Sequence, residues 1–200
     1  MEKRKAVKAL KTLFIGELFL MISYFCELSF LYEPLAFLSL LSLIGMIIIL
    51  VSIVKLFKAN KFFFISFLTI CISILFGVVE AILVLTKCAD QTIQTYESVA
   101  NVLSKVMSMA FIFGIIRGCS KVAMGKANTR FANIMTIVNL IGKGSAILFS
   151  ILDGFYKSSN PTLSNAFSIV AMTISLGVEI FFVTYVFRAY KKSKNTLKEN

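Results

Sequence analysis

Residues 35–57 read LAFLSLLSLIGMIIILVSIVKLF, and the first charge in that stretch is Lys55. At 1.5 Å per residue such a helix is about 34 Å long, slightly more than the ~30 Å hydrocarbon core of a bilayer. Five further apolar segments surround it in the chain: Leu10–Leu31, Phe62–Thr86, Val99–Ile116, Phe131–Phe155 and Leu163–Phe187. Each reaches roughly 27–38 Å as a helix, and Val99–Ile116 is the shortest and most polar. Helix is the assignment that lipid demands, because hydrocarbon offers no partners to unpaired backbone N–H and C=O groups. The ten-residue alternation of a membrane β-strand is missing. The expected fold is therefore all-α: a polytopic transmembrane helical bundle of about six spans, a single transmembrane domain over residues 1–200.

Composition supports the same reading. The chain is 58% hydrophobic and 16% charged, with a mean hydropathy of +0.87. An ordinary soluble domain is roughly 45–50% apolar and about 25% charged, and must cover itself with polar groups. The basic start Met1–Lys11 followed by an apolar run resembles a signal peptide. The run from Leu10 to Leu31 is longer than a signal h-region and carries no A-x-A cleavage pattern, so it reads as a retained first span.

Orientation follows from the lysines and arginines. Lys3, Arg4, Lys5, Lys8 and Lys11 precede or open the first span, and Lys55, Lys58 and Lys61 join the second to the third. Arg117, Lys121, Lys126 and Arg130 join the fourth to the fifth, and Arg188, Lys191, Lys192, Lys194 and Lys198 follow the sixth. With six spans, 17 of the 21 basic residues fall on one side, against Lys87 and Lys157 in the opposite loops. The positive-inside bias makes that side cytoplasmic and puts both termini there. The same distribution argues against nucleic acid as the target of the +11 net charge, because the basic residues are short inter-span clusters rather than a soluble stripe. Anionic lipid headgroups at the cytoplasmic loops are the expected partners, with protein partners or a second copy of the chain left open. A composition rich in Lys, Ile, Phe and Asn, without Trp or His, fits an AT-rich bacterial genome and hence a bacterial plasma membrane.

The connections carry turn chemistry. Tyr32–Glu33–Pro34 reads as a tight outer turn, residues 87–98 as the longest outer loop, and Ser158–Thr162 as a loop that offers Thr162 or Ser164 as a helix cap. Lys58-Ala59-Asn60-Lys61-Phe62-Phe63 and Lys126-Ala127-Asn128-Thr129-Arg130-Phe131 both enter odd-numbered spans. Three parallel hairpins and chance likeness among basic loops both account for this repeat.

Polar and small residues recur at helical spacing within the spans. The third has Ser66, Thr69, Ser73, Gly77 and Glu80; the fourth Ser98, Asn101, Ser104, Lys105 and Ser108. The fifth has Thr136, Asn139, Lys143, Ala146, Ser150 and Asp153; the sixth Asn165, Ser168, Met172, Ser175 and Glu179. Steps of three and four keep each set on one inward face, where small residues let helices approach and hydroxyls bond across. Gly114 and Gly118 form a GxxxG of the same kind. The ionisable residues demand more, because a charge near the bilayer centre costs at least about 2.5–3.5 kcal/mol on insertion scales. Lys143 and Lys105 each fall about 18 Å from the cytoplasmic edge, Glu179 about 13 Å and Glu17 about 9 Å. Glu80 lies further out, near Glu27 and Asp153. A midplane polar site built on a Lys143–Glu179 pair, with Glu17, Lys105, Glu80 and Asn139, is the candidate. Its rival is a structural pair that fixes helix register.

Catalysis is not expected. Without histidine the common Ser-His, Cys-His and zinc constellations lose their base or ligand, and no cofactor or metal is implied. Cys26, Cys71, Cys88 and Cys119 are isolated; a Cys26–Cys88 bridge competes with four small buried hydrophobes. Gly142-Lys143-Gly144-Ser145 imitates a phosphate loop but lies inside an apolar span without the flanking residues of one. The reading that results is a non-catalytic membrane or accessory protein. The alternative is a small-solute or ion transporter, or its substrate-capture subunit.

Overall fold

The computed structural model describes residues 2–29, 36–86, 90–122 and 129–196, and every regular element within them is helical. Six helices follow in order: α1 (Glu2–Ser29), α2 (Ala36–Phe57), α3 (Phe63–Leu85), α4 (Asp90–Val122), α5 (Thr129–Tyr156) and α6 (Pro161–Thr196). Chain neighbours pack as the hairpins α1–α2, α3–α4 and α5–α6, α2 meets α3, and α4 meets α5. The ring closes where α6 returns to α1, and α4 also touches α6. Among the described residues, Val102–Val122 of α4, α5 and α6 are long and apolar enough to cross a membrane, and Leu41–Phe57 and Phe63–Val79 are shorter apolar stretches. Their outer faces are apolar, as a membrane protein's would be: Leu75, Ile141, Phe155 and Ile169 are 64%, 65%, 75% and 64% exposed.

Three helices run past their expected ends. α1 begins at Glu2, because EKRKAVKA is a run of good helix formers with nothing to interrupt it, and α6 continues through its lysines to Thr196. α4 begins at Asp90, so most of the expected outer loop 87–98 is helix. The stretch is polar yet lacks Gly and Pro, and the Tyr96 hydroxyl donates to the Phe76 carbonyl at 2.6 Å, fastening the extension to α3. The expected cap of α6 is also corrected. Asn160 is the N-cap, its Oδ1 accepting from the Leu163 N–H at 3.1 Å, with Pro161 in the first helical position. Thr162 is inside the first turn, and Ser164 instead donates its hydroxyl to Asp153 Oδ1 across the hairpin. The Tyr32–Pro34 turn, Cys88, the Lys126–Asn128 half of the repeat and the side chains of Cys26, Glu27, Glu80, Ser98 and Asn101 lie outside the described residues.

Glycines set how closely the hairpins pack. A Cβ on Gly16 would lie 3.1 Å from the Gly45 carbonyl, and one on Gly45 equally close to the Gly16 carbonyl, so α1 and α2 touch backbone to backbone. Gly114 and Gly118 face Ser66 and the Phe63 ring of α3, and the Ser66 hydroxyl donates to the Phe111 carbonyl at 2.8 Å. Gly142 faces Val178 of α6. These are small-residue contacts of the kind that joins helices where no hydrophobic force drives them together.

The buried apolar core sits at one end. It comprises Ala6–Leu13 positions of α1, Ile49–Leu56 of α2, Phe63 of α3, Ile112–Cys119 of α4, Ala132 and Met135 of α5, and Val178–Ala189 of α6. Antiparallel packing places all of these beside the N-terminus, the C-terminus and the lysine-bearing connections. Ring contacts tie that end together, Phe14 to Phe187 at 5.0 Å and Phe131 to Tyr185 at 5.8 Å. The Tyr185 hydroxyl donates to the Ile116 carbonyl at 3.0 Å, which satisfies a polar group in the middle of the core.

Candidate functional site

Immediately beyond this core the helices stand apart and enclose a cavity of about 590 Å³ to which all six contribute. The inward stripe of α5 explains how a lysine reaches it. Thr136, Asn139, Lys143, Ala146 and Ser150 follow one another at steps of three and four, and all are buried. From that face Lys143 Nζ donates to Glu179 Oε1 of α6 at 2.6 Å. The Ser108 hydroxyl of α4 donates to the same oxygen at 3.3 Å, so three helices converge on one carboxylate. The pair is asymmetric: the Lys143 side chain is 5% accessible and that of Glu179 30%.

Asn139 is one turn below Lys143 and fully buried. Its Nδ2 donates to the Met109 carbonyl of α4 at 2.9 Å, while its Oδ1 has no partner. It ties α5 to α4 one turn from the lysine and is not part of the cavity wall. Glu17 of α1 does line the cavity, one turn above the Phe14–Phe187 contact and therefore near the apolar floor. It is 4% exposed, its Oε1 has no hydrogen-bond partner, and it lies within electrostatic range of Glu179 and Lys143. Lys105 of α4 lines the wall at about the height of Lys143, with Lys143 and Asp153 among its charged neighbours. Of the six residues singled out from sequence, Glu17, Lys105, Lys143 and Glu179 thus border one space. Asn139 is beneath it, and Glu80 belongs to α3 with its side chain outside the described residues.

Two contributions were not read from sequence. Ser23 of α1 and Ser42 of α2 line the cavity, as do Met21, Met46 and Met107 beside the already noted Met172. A methionine in an apolar span carries no polar signal, so only the packing reveals which ones face the space. The lining carries two carboxylates, two ammonium groups, several hydroxyls and pliable thioethers, which can hold and orient a small polar or amphiphilic molecule. Among the described residues no group of three or more His, Cys, Asp or Glu is placed to hold a metal ion. Gly142-Lys143-Gly144-Ser145 is continuous α-helix within α5, so its N–H groups are committed to the helix. Comparison with protein-family models, curated proteins and solved structures finds no match.

Proposed function

We propose that the chain is a multi-pass plasma-membrane protein with six spans and cytoplasmic termini, which binds a small solute between its helices as a transporter or as the capture subunit of one. The observation that carries this reading is the cavity of about 590 Å³, bordered by all six helices and furnished with Glu17, Lys105, Lys143 and Glu179. Four ionisable groups around open space are expensive in a membrane and are characteristic of solute or ion pathways. Six spans are supported by helix length, since α2, the shortest with 22 residues, is about 33 Å long. They are supported too by the 17 of 21 basic residues gathered at one end. That end is where the apolar core lies, so the core closes the cytoplasmic side and the cavity faces the other. The protein is proposed to be non-enzymatic: no serine or cysteine on the wall has a histidine to activate it.

A second reading has one observation in its favour. Lys143 and Glu179 are bonded directly to each other, as a pair that only fixes helix register would be, and this suits a non-catalytic accessory protein. The two readings separate in reconstituted liposomes. Solute binding or uptake that disappears in Lys143→Met/Glu179→Leu, a variant of similar side-chain volume shown by its thermal unfolding to be folded, supports the solute reading. A folded wild type that takes up no cationic, zwitterionic, anionic or neutral solute supports the accessory reading.

A further inference from the structure

Within the solute-binding reading, on which this step rests, we infer that the cavity takes an organic ammonium compound with an apolar body, its charged nitrogen docked on Glu17. The floor of the cavity holds a buried carboxylate oxygen to which no described residue donates a hydrogen bond. Lys143 is already neutralised by Glu179, which also receives the Ser108 hydroxyl. Glu17, 4% exposed and without a hydrogen-bond partner at Oε1, has no such arrangement. A carboxylate desolvated to that degree requires a proton or a cation, and a docked ammonium group satisfies it with charge-assisted hydrogen bonds.

The rest of the wall argues for an organic cation rather than a bare metal ion. A volume of about 590 Å³ is that of a site for a whole small molecule, whereas one water occupies only about 30 Å³. Met21, Met46, Met107 and Met172 come from four different helices and give flexible, polarisable surface that moulds to an apolar body. Such an ammonium group can belong to a free amine or to an aminolipid headgroup, and the chemistry at Glu17 is shared.

Carbodiimide labelling of Glu17, read by peptide mass spectrometry on the full chain in phosphatidylglycerol nanodiscs, tests this. Hexylammonium, hexanol and hexanoate are the probes, with thermal unfolding recorded in parallel. Hexylammonium at ten times its Kd is expected to slow Glu17 labelling about tenfold and to raise Tm, with the Tm increase lost in Glu17→Gln. Equal protection by hexanol or hexanoate, or an undiminished Tm increase in Glu17→Gln, overturns the ammonium assignment and leaves a solute cavity standing. No protection and no Tm change with any probe overturns both. The labelling is read on the wild type, so it decides even if Glu17→Gln does not fold. Protection in phosphatidylethanolamine nanodiscs without added amine upholds the assignment and identifies the lipid as the source.

Discussion

Exchanging Glu179 for glutamine removes the one carboxylate among the described residues that pairs directly with an ammonium group that is 5% accessible. Removing one partner of a buried pair costs about 3–5 kcal/mol, because the survivor is left charged and desolvated. The Glu179 side chain is 30% accessible, and screening there reduces the loss to about 2–4 kcal/mol. Removing the lysine is milder. Lys143→Met leaves a carboxylate that still receives the Ser108 hydroxyl and opens to the cavity, for about 1–2 kcal/mol. The double variant Lys143→Met/Glu179→Leu replaces the pair by apolar side chains of similar volume and should lie within about 1 kcal/mol of the wild type. For a chain of this size each kcal/mol moves Tm by about 2–4 °C, so Glu179→Gln should lower it by about 4–16 °C. Cys119, fully buried in the core, reports unfolding to a thiol-reactive dye in detergent. A double variant as unstable as the sum of the singles, or Lys143→Met worse than Glu179→Gln, refutes the asymmetry on which this order depends.

Gly142→Ala and Gly144→Ala should differ by about 1–3 kcal/mol in stability, with Gly142→Ala the less stable. A Cβ at Gly142 meets Val178, one at Gly144 meets nothing within 4 Å, and the gain in helix propensity cancels between neighbouring sites; the same dye assay measures both. Asn160→Ala should cost about 1 kcal/mol by uncapping α6, and Thr162→Ala should cost little, which thermal unfolding of the two variants compares. Tyr185→Phe should cost about 1 kcal/mol, because it removes the buried hydroxyl bond to the Ile116 carbonyl while preserving the ring contact with Phe131.

The helices were legible because lipid-facing sequence is nearly uniform and the only punctuation is charge, Pro and Asn. Residues 36–57, 63–85 and 129–156 begin and end within two residues of the apolar boundaries. Hydropathy failed where helix and membrane part company. Glu2–Ala9, Asp90–Ser98 and Arg188–Thr196 are polar but helical, because intrahelical bonding does not require an apolar side chain. The α5 stripe was readable because every member is polar or charged or small, and the structure buries all of it except Asp153, which is half-buried. Partners on other helices were harder to find. That Asn139 bonds to the Met109 carbonyl, or that four methionines border the cavity, depends on helix rotation and on the glycine contacts that set spacing. One chain's periodicity does not encode either.

Ser168 and Ile169 are adjacent in α6, yet the first lines the cavity and the second is 64% exposed on the outer face. Single cysteines at Ser168, Ile169 and Lys194, placed in a cysteine-free chain, can be challenged in intact cells with a membrane-impermeant maleimide. A solute cavity open to the outside of a six-span bundle predicts rapid labelling at 168, none at 169, and labelling at 194 only after permeabilisation. Labelling of 194 in intact cells, or of 169 as fast as 168, contradicts it.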